Sequence, residues 1–469
     1  MNMRSYIYTG IFSASLALAI LLTLFISPEQ GPAVMAALLL GLVVFAGAWR
    51  RTDLMLILAV GVLIAMPFFL GVNRKPKLFL DELPLLLMLG LVPLKMIAYR
   101  SMHLKPGDLF LPLIGLIMLG MTLVYNPPDN VGLRTFVETF VLGVLAGLLC
   151  SEMADEPLTV KISVMLCVLV MLIAVAAVLE VAVNANPLME YATKTSGDEY
   201  TYISPQWVEL TGGVYRPYVV FFHPSEGATV VGLCLPFIAA LFTEEKYRRI
   251  AGLALIFGLI YIVINATRGV WASLAVTAFI FLPQFRRLAI LMMPLALVGL
   301  ILLSLIFPDS AYFERIADLR NLRIRFFYWD IALSHLENNW FLGIGYNMFS
   351  KIYLALNPMI PTEFIEDVSQ VATVDNTILM ILVEQGVVGL IGFILICAFL
   401  FQRLRLARRT FLAEGRNLSA AFARAGLAVL CVYICCGLLA DVHLFTKATK
   451  LFFILTGLAW GAVRKKQEM

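Results

Sequence analysis

The sequence predicts an all-α fold: a polytopic transmembrane helical bundle of about 12–14 spans, with one long loop that carries short helices. Three observations predict it. Hydrophobic residues make up 61% of the 469 residues and charged residues 14%. The mean hydropathy is +0.91, and a soluble chain of this length could not bury that much apolar surface. The apolar residues also fall in runs near the ~20 residues that cross a hydrocarbon core as helix.

In order, the runs occupy residues 6–27, 32–49, 53–71, 79–98, 108–125, 132–150, 160–183, 218–242, 249–265, 269–283, 288–307, 374–402, 422–440 and 446–463. The first follows Arg4 and lacks a small-residue cleavage site, so it is expected to be a retained span. Runs 249–265 and 269–283 are short and read as a pair broken around Ala266-Thr267-Arg268-Gly269. Five segments follow: helices in 1–183, a loop at 184–217, helices with arginine motifs in 218–307, a large lid loop at 308–373, and helices in 374–469. The chain's 7 cysteines lie mostly inside apolar runs without CxxC or metal spacing, and are expected to be small packing residues.

The net charge of +4 comes with basic residues clustered between runs, which is topology information and not a nucleic-acid footprint. With the N-terminus inside, Arg50-Arg51, Arg100 to Lys105, Glu244 to Arg249, Gln284 to Arg287, Arg403 to Arg416 and the tail Arg464-Lys465-Lys466 share the inner side. Both termini are then cytoplasmic, and loops 184–217 and 308–373 share the outer face. One loop disagrees: Asn73-Arg74-Lys75-Pro76-Lys77 is basic yet lands outside. It marks either a miscounted span or a patch for an anionic headgroup.

Long ordered loops usually carry function. The first is rich in aromatics and turn formers, as in Tyr200 to Trp207. In the second, Leu322 to Glu337 reads as an amphipathic helix with Ile324, Phe327, Tyr328 and Ile331 on one side; Asn338 to Gly345 ends it. Polar residues that a membrane does not tolerate freely gather at the same face. Arg216 precedes Pro217 at the entrance to run 218–242, and His223-Pro224-Ser225-Glu226 follows. Pro224 suits a helix start, and His223 and Glu226, three apart, can share a side. Arg268 sits in the tight turn between two runs. Asp375 and Asn376 open run 374–402. Arg323, Arg325 and His335 ride on the loop helix, and Asp441, His443 and Lys447 open the last run.

Each has a plainer reading. Arg216 and Arg268 can snorkel to lipid phosphate. His223 can be a hydrogen-bonded core histidine, and Asp375 a helix cap with Asn376 beside it. Arg323 and Arg325 can be the polar face of the loop helix. The Asp441, His443 and Lys447 group reads best as a solvated helix start. Glu180 and Glu384 can be paired structural carboxylates. The chemical reading joins them. Guanidiniums bind phosphates in a fork and stay charged. At a bilayer surface they can hold a lipid diphosphate and stabilise it as a leaving group. A nearby carboxylate or imidazole can take the proton of an acceptor hydroxyl. The sequence shows no metal-ligand set, no P-loop and no Rossmann fingerprint. No metal or cofactor is therefore expected, and the donor would be lipid-linked.

Taken together, Arg216…His223-Pro224, Thr267-Arg268-Gly269, Arg325-x3-Trp329…Gly343-Ile-Gly345-x3-Phe349, and Asp375-Asn376-Thr377…Glu384-x-Gly386-x2-Gly389 resemble the O-antigen ligase/polymerase superfamily, the Wzy- and WaaL-like integral membrane glycosyltransferases of bacteria. The resemblance covers roughly residues 210–400. It implies a GT-C-like helical fold in the bacterial inner membrane, with the active site facing the periplasm. It also implies transfer of a glycan from undecaprenyl diphosphate to a sugar hydroxyl, with inversion and without metal or nucleotide. By motif position, Arg216 and Arg268 would hold the diphosphate, and Arg325 would help position donor or acceptor. Arg323, His223, Glu226 and Asn376 are further substrate-binding candidates. Family ligases usually carry a histidine where this chain has Asp375. That departure favours a polymerase of O-antigen or exopolysaccharide repeat units over a ligase acting on lipid A-core. His335 is a second base candidate. A lipid-linked oligosaccharide flippase or transporter is the alternative from another class, but it would favour mid-bilayer charges and two related halves.

Overall fold

The computed structural model describes residues 51–66, 83–99, 105–128, 130–183, 185–186, 216–221, 223–281, 320–349, 351 and 374–461. The expected spans 6–27, 32–49 and 288–307, loop residues 73–77 and 200–207, and the tail 464–466 lie outside them. Among the described residues there is no strand. The helices are α1 (Thr52–Ala65), α2 (Leu83–Tyr99), α3 (Pro106–Gly120), α4 (Thr122–Tyr125), α5 (Asn130–Phe136), α6 (Leu142–Met153), α7 (Glu156–Val183), α8 (Pro224–Ala240), α9 (Arg248–Asn265), α10 (Arg268–Phe281), α11 (Arg320–Asn339), α12 (Thr377–Ala413), α13 (Asn417–Gly437) and α14 (Thr446–Gly461). A π-helical turn, Val137–Val141, joins α5 to α6.

Among the described residues, 7 helical stretches are long and apolar enough to cross a membrane: Pro106–Tyr125, Gly132–Met153, Glu156–Val183, Pro224–Thr243, Glu245–Asn265, Thr377–Ala413 and Asn417–Gly437. The ends differ from the sequence reading in informative ways. Run 218–242 becomes helical only at Pro224, because residues 216–221 are held in irregular backbone by side chains described below. Run 374–402 continues as helix to Ala413. Leucine, alanine and arginine are good helix formers, and Leu404, Ala407 and Phe411 keep one buried stripe through the basic stretch.

Helix α14 is the hub. Its residues from Lys447 to Gly461 are buried, as suits a helix that is apolar almost all round from Leu451 on. It meets α6 so closely that a Cβ on Gly457 would overlap the Gly147 carbonyl. Small residues let backbones approach, which drives helix association in lipid. Helix α3 runs antiparallel to α12, with Gly115 against Gly392 and the Arg403–Asp108 ion pair at its start.

Helix α12 is broken at Gly386, which has φ 69° and ψ −174°, a conformation essentially reserved for glycine. The break frees backbone groups that cannot stay unpaired inside a bundle. The segment after α11 takes them up. Val387 N–H donates to the Trp340 carbonyl (2.8 Å) and Val388 N–H to that of Phe341 (3.2 Å). In return, Ile344 N–H donates to Val383 O (3.0 Å) and Gly345 N–H to Glu384 O (2.9 Å). The Asn338-to-Gly345 breaker is thus stitched into a spanning helix. Alanine at Gly386 would add a Cβ against the Phe341 carbonyl as well as a strained φ. We expect Gly386→Ala to destabilise the protein by roughly 2–4 kcal/mol, read as a lower Tm in detergent.

Candidate active site

Helices α8, α10 and α12 begin, and α9 and α13 end, at one end of the bundle. Arg216 lies there, part-buried. Its Nε donates to Asn265 O (2.9 Å), and its Nη2 donates to Thr267 Oγ1 (2.8 Å) and Ser225 Oγ (3.2 Å). This is not a snorkelling side chain: the fork knits the end of α9 to the starts of α8 and α10. Arg268 is the first residue of α10 and is exposed. A cation at the positive end of a helix is unfavourable by itself and favours a nearby anion.

His223 caps α8: its Nδ1 accepts from Ser225 N–H (3.1 Å), which places the ring proton of the neutral form on Nε2. Its ring stacks on Phe445 at 6.0 Å. Glu226 is buried in the first turn of the same helix.

Asn376, not Asp375, is the cap of α12; its Oδ1 accepts from Ile378 and Leu379 N–H, both at 3.1 Å. Asp375, one residue earlier, has φ 50°. Its Oδ2 accepts from Arg325 Nε at 3.1 Å, and Trp329 Nε1 donates to Val374 O at 2.7 Å. The loop helix therefore docks on the start of α12 through both residues of the Arg325-x3-Trp329 motif. Tyr328, Ala332, Phe349, Val374, Met380 and Val383 form a small core of their own beneath it. Arg323 lies in the first turn of α11, and its side chain falls outside the described residues. His335 lies about 15 Å along α11 from Arg325, at ~1.5 Å per residue, so the fold carries it toward the Gly386 end.

Three buried carboxylates share one task. Glu180 accepts from Tyr218 and Val219 N–H (2.8 Å each), Glu384 from Asn347 (2.9 Å) and Phe349 (3.2 Å), and Asp441 from Asp375 (2.9 Å) and Asn376 (3.0 Å). Each clamp contains a residue in the left-handed region: Val219, Asn347 or Asp375. Hydrogen bonds from two N–H groups to each carboxyl offset the strain of a non-glycine residue at positive φ. Glu180 and Glu384 are the structural carboxylates that the sequence allowed, paired with backbone rather than with each other.

Asp441, His443 and Lys447 correct the sequence reading. They are not a solvated helix start but are buried at 4%, 0% and 3% exposure. The connection that carries them touches the starts of α10 and α12 and the chain leading into α8. Leu439 packs on Gly269. Ala440 O accepts from Thr377 Oγ1 (2.9 Å), and His443 Nδ1 lies 3.4 Å from the same hydroxyl. Lys447 Nζ donates to the carbonyls of Met66 and Val220. Sequence reasoning weighed these residues as exposed because their partners lie far away along the chain.

His443 lies between α13 and α14, and burial pushes its pKa from the usual 6.5 down to about 3. The unfolded chain then binds a proton that the folded chain refuses in that window, so stability falls as pH drops from about 6.5 toward 3. We expect a Tm loss between pH 7 and pH 5 that His443→Gln makes smaller.

Fold and site together define an integral membrane protein, all-α, with a polar centre built from loops and helix ends at one side of the bundle. The family model described as O-antigen ligase matches residues 253–394, which include Arg268, Arg325, Asp375, Glu384 and Gly386. The match supports the O-antigen ligase/polymerase superfamily, and with it a glycan-transferring ligase or polymerase role in general. No curated protein matches the chain.

Proposed function

We propose that this protein transfers a glycan from undecaprenyl diphosphate to a sugar hydroxyl at the periplasmic face of a bacterial inner membrane, extending O-antigen or exopolysaccharide repeat units. The observation that carries the reading is Asp375. Its backbone is fixed by Asp441, its carboxylate is aimed by Arg325, and the connection that holds it also packs on Gly269, next to Arg268.

In this reading Arg268 and the Arg216 corner hold the diphosphate, whose negative charge grows as the sugar leaves. Asp375 accepts the proton of the acceptor hydroxyl as its oxygen bonds the anomeric carbon. The bond from that carbon to the phosphate oxygen breaks, and the lipid diphosphate departs with the electron pair. Attack from the face opposite the leaving group inverts the centre. Helix α11, on its separate small core, brings Arg325 to the reacting groups.

A second reading, ligation to lipid A-core, is favoured by the description of the matching family. Purified protein in nanodiscs, given a synthetic diphospholipid repeat unit, separates the two by product size. A polymerase makes a ladder of longer lipid-linked chains with no added acceptor. A ligase makes product only when lipid A-core is supplied. Absence of product in both arms contradicts glycan transfer from this donor.

A further inference from the structure

The stretch from Trp340 onward belongs by sequence to the outer loop, yet its backbone is bonded into α12, and while Tyr346 and Phe349 are buried, Trp340 and Phe341 face outward. Trp340 is 58% exposed and Phe341 52%. Beside them, Asn126 Nδ2 donates to Gly343 O at 2.8 Å, which brings in the end of α4, where Val124 and Tyr125 are 79% and 63% exposed. Four large apolar side chains thus lie exposed on two segments that meet beside the break in α12.

Two helices fix their level. The Arg403–Asp108 pair lies at the start of α3 and ten residues before the end of α12, next to the basic run Arg405, Arg408 and Arg409, and marks one edge of the apolar zone. From Arg403 back to Val387, α12 rises about 24 Å, and from Asp108 to Tyr125, α3 and α4 rise about 26 Å, at ~1.5 Å per residue. Both lengths come close to the ~30 Å of a bilayer's hydrocarbon core. Exposed Phe110, Leu113, Ile117 and Val124 run from one edge to the other, so the exposed side chains beside the break continue a lipid-facing stripe. Tryptophan and tyrosine with an apolar body and a polar N–H or O–H suit the boundary at which that stripe ends.

We propose that Trp340, Phe341, Tyr125 and Val124 form an anchor in the interfacial layer of the bilayer, so that lipid holds the C-terminal end of α11. Arg325 lies about 22 Å further along that helix. The anchor therefore sets the distance between the membrane edge and the Arg325–Asp375 pair. This inference stands on the spanning helices and is independent of the reaction catalysed.

The test uses the full chain in phosphatidylcholine vesicles, with Trp340→Phe subtracted from wild type to isolate one of the 6 tryptophans. The expected Trp340 emission is quenched at least twofold more by lipids brominated at carbons 6 and 7 than at carbons 11 and 12, and only weakly by aqueous iodide. Tyr125→Trp, a second reporter in the proposed anchor, follows the same order. Strong iodide quenching without lipid quenching would overturn the anchor in favour of an aqueous loop. Protection from both quenchers would overturn it in favour of a protein cover, such as a second copy of the chain.

Discussion

Asparagine in place of Asp375 lowers transfer at saturating donor by roughly 10²–10⁴-fold, the usual contribution of a positioned base, while donor affinity stays near that of wild type. The substitution is nearly isosteric. Its amide oxygen still accepts from Arg325 Nε, and the clamp from Asp441 to the backbone N–H groups of Asp375 and Asn376 does not involve the side chain. What disappears is the capacity to take a proton. A single-turnover assay with prebound donor therefore reads the chemical step apart from folding. Full turnover in this variant would remove Asp375 as base and leave it as the partner that docks α11.

Alanine at Arg268 produces the other large effect, a loss of roughly 10²–10³-fold in kcat, comparable to removing one preorganised charge donor at a developing anion. Donor affinity falls with it, because the same side chain holds the diphosphate before reaction. Arg268 is exposed at the start of α10, where a cation faces the positive end of the helix dipole. An unchanged Tm with lost binding is the expected pair of results. Unchanged binding would return Arg268 to a lipid-phosphate contact. Arg216 differs: its fork holds Asn265, Thr267 and Ser225, so its replacement mixes structural and chemical losses.

Much of this was legible in the sequence. Apolar period and length located the helices, and α11 extends only two residues beyond each end of the reading at Leu322 to Glu337. Its buried Tyr328 lies on the side that the pattern assigned. The break at Gly386 was not read from the sequence, where run 374–402 stands as one helix. It was not visible there, since the groups that repair the break come from Trp340 to Gly345. The same non-locality hid the burial of Asp441. A carboxylate at a span end normally faces water, and only the fold supplies the two N–H groups, from Asp375 and Asn376, that let it sit at 4% exposure. The π-helical turn at Val137–Val141 left no sequence signal that period or composition could detect.

The most direct test is the amount of extended or transferred glycan formed by purified protein from a defined undecaprenyl-diphosphate glycan in nanodiscs, with Asp375→Asn and Arg268→Ala run beside it. The account predicts product and released lipid diphosphate in equal amounts from wild type, and almost none from either variant. Product from Asp375→Asn at the wild-type rate, or none from wild type with donor and acceptor both present, would contradict it.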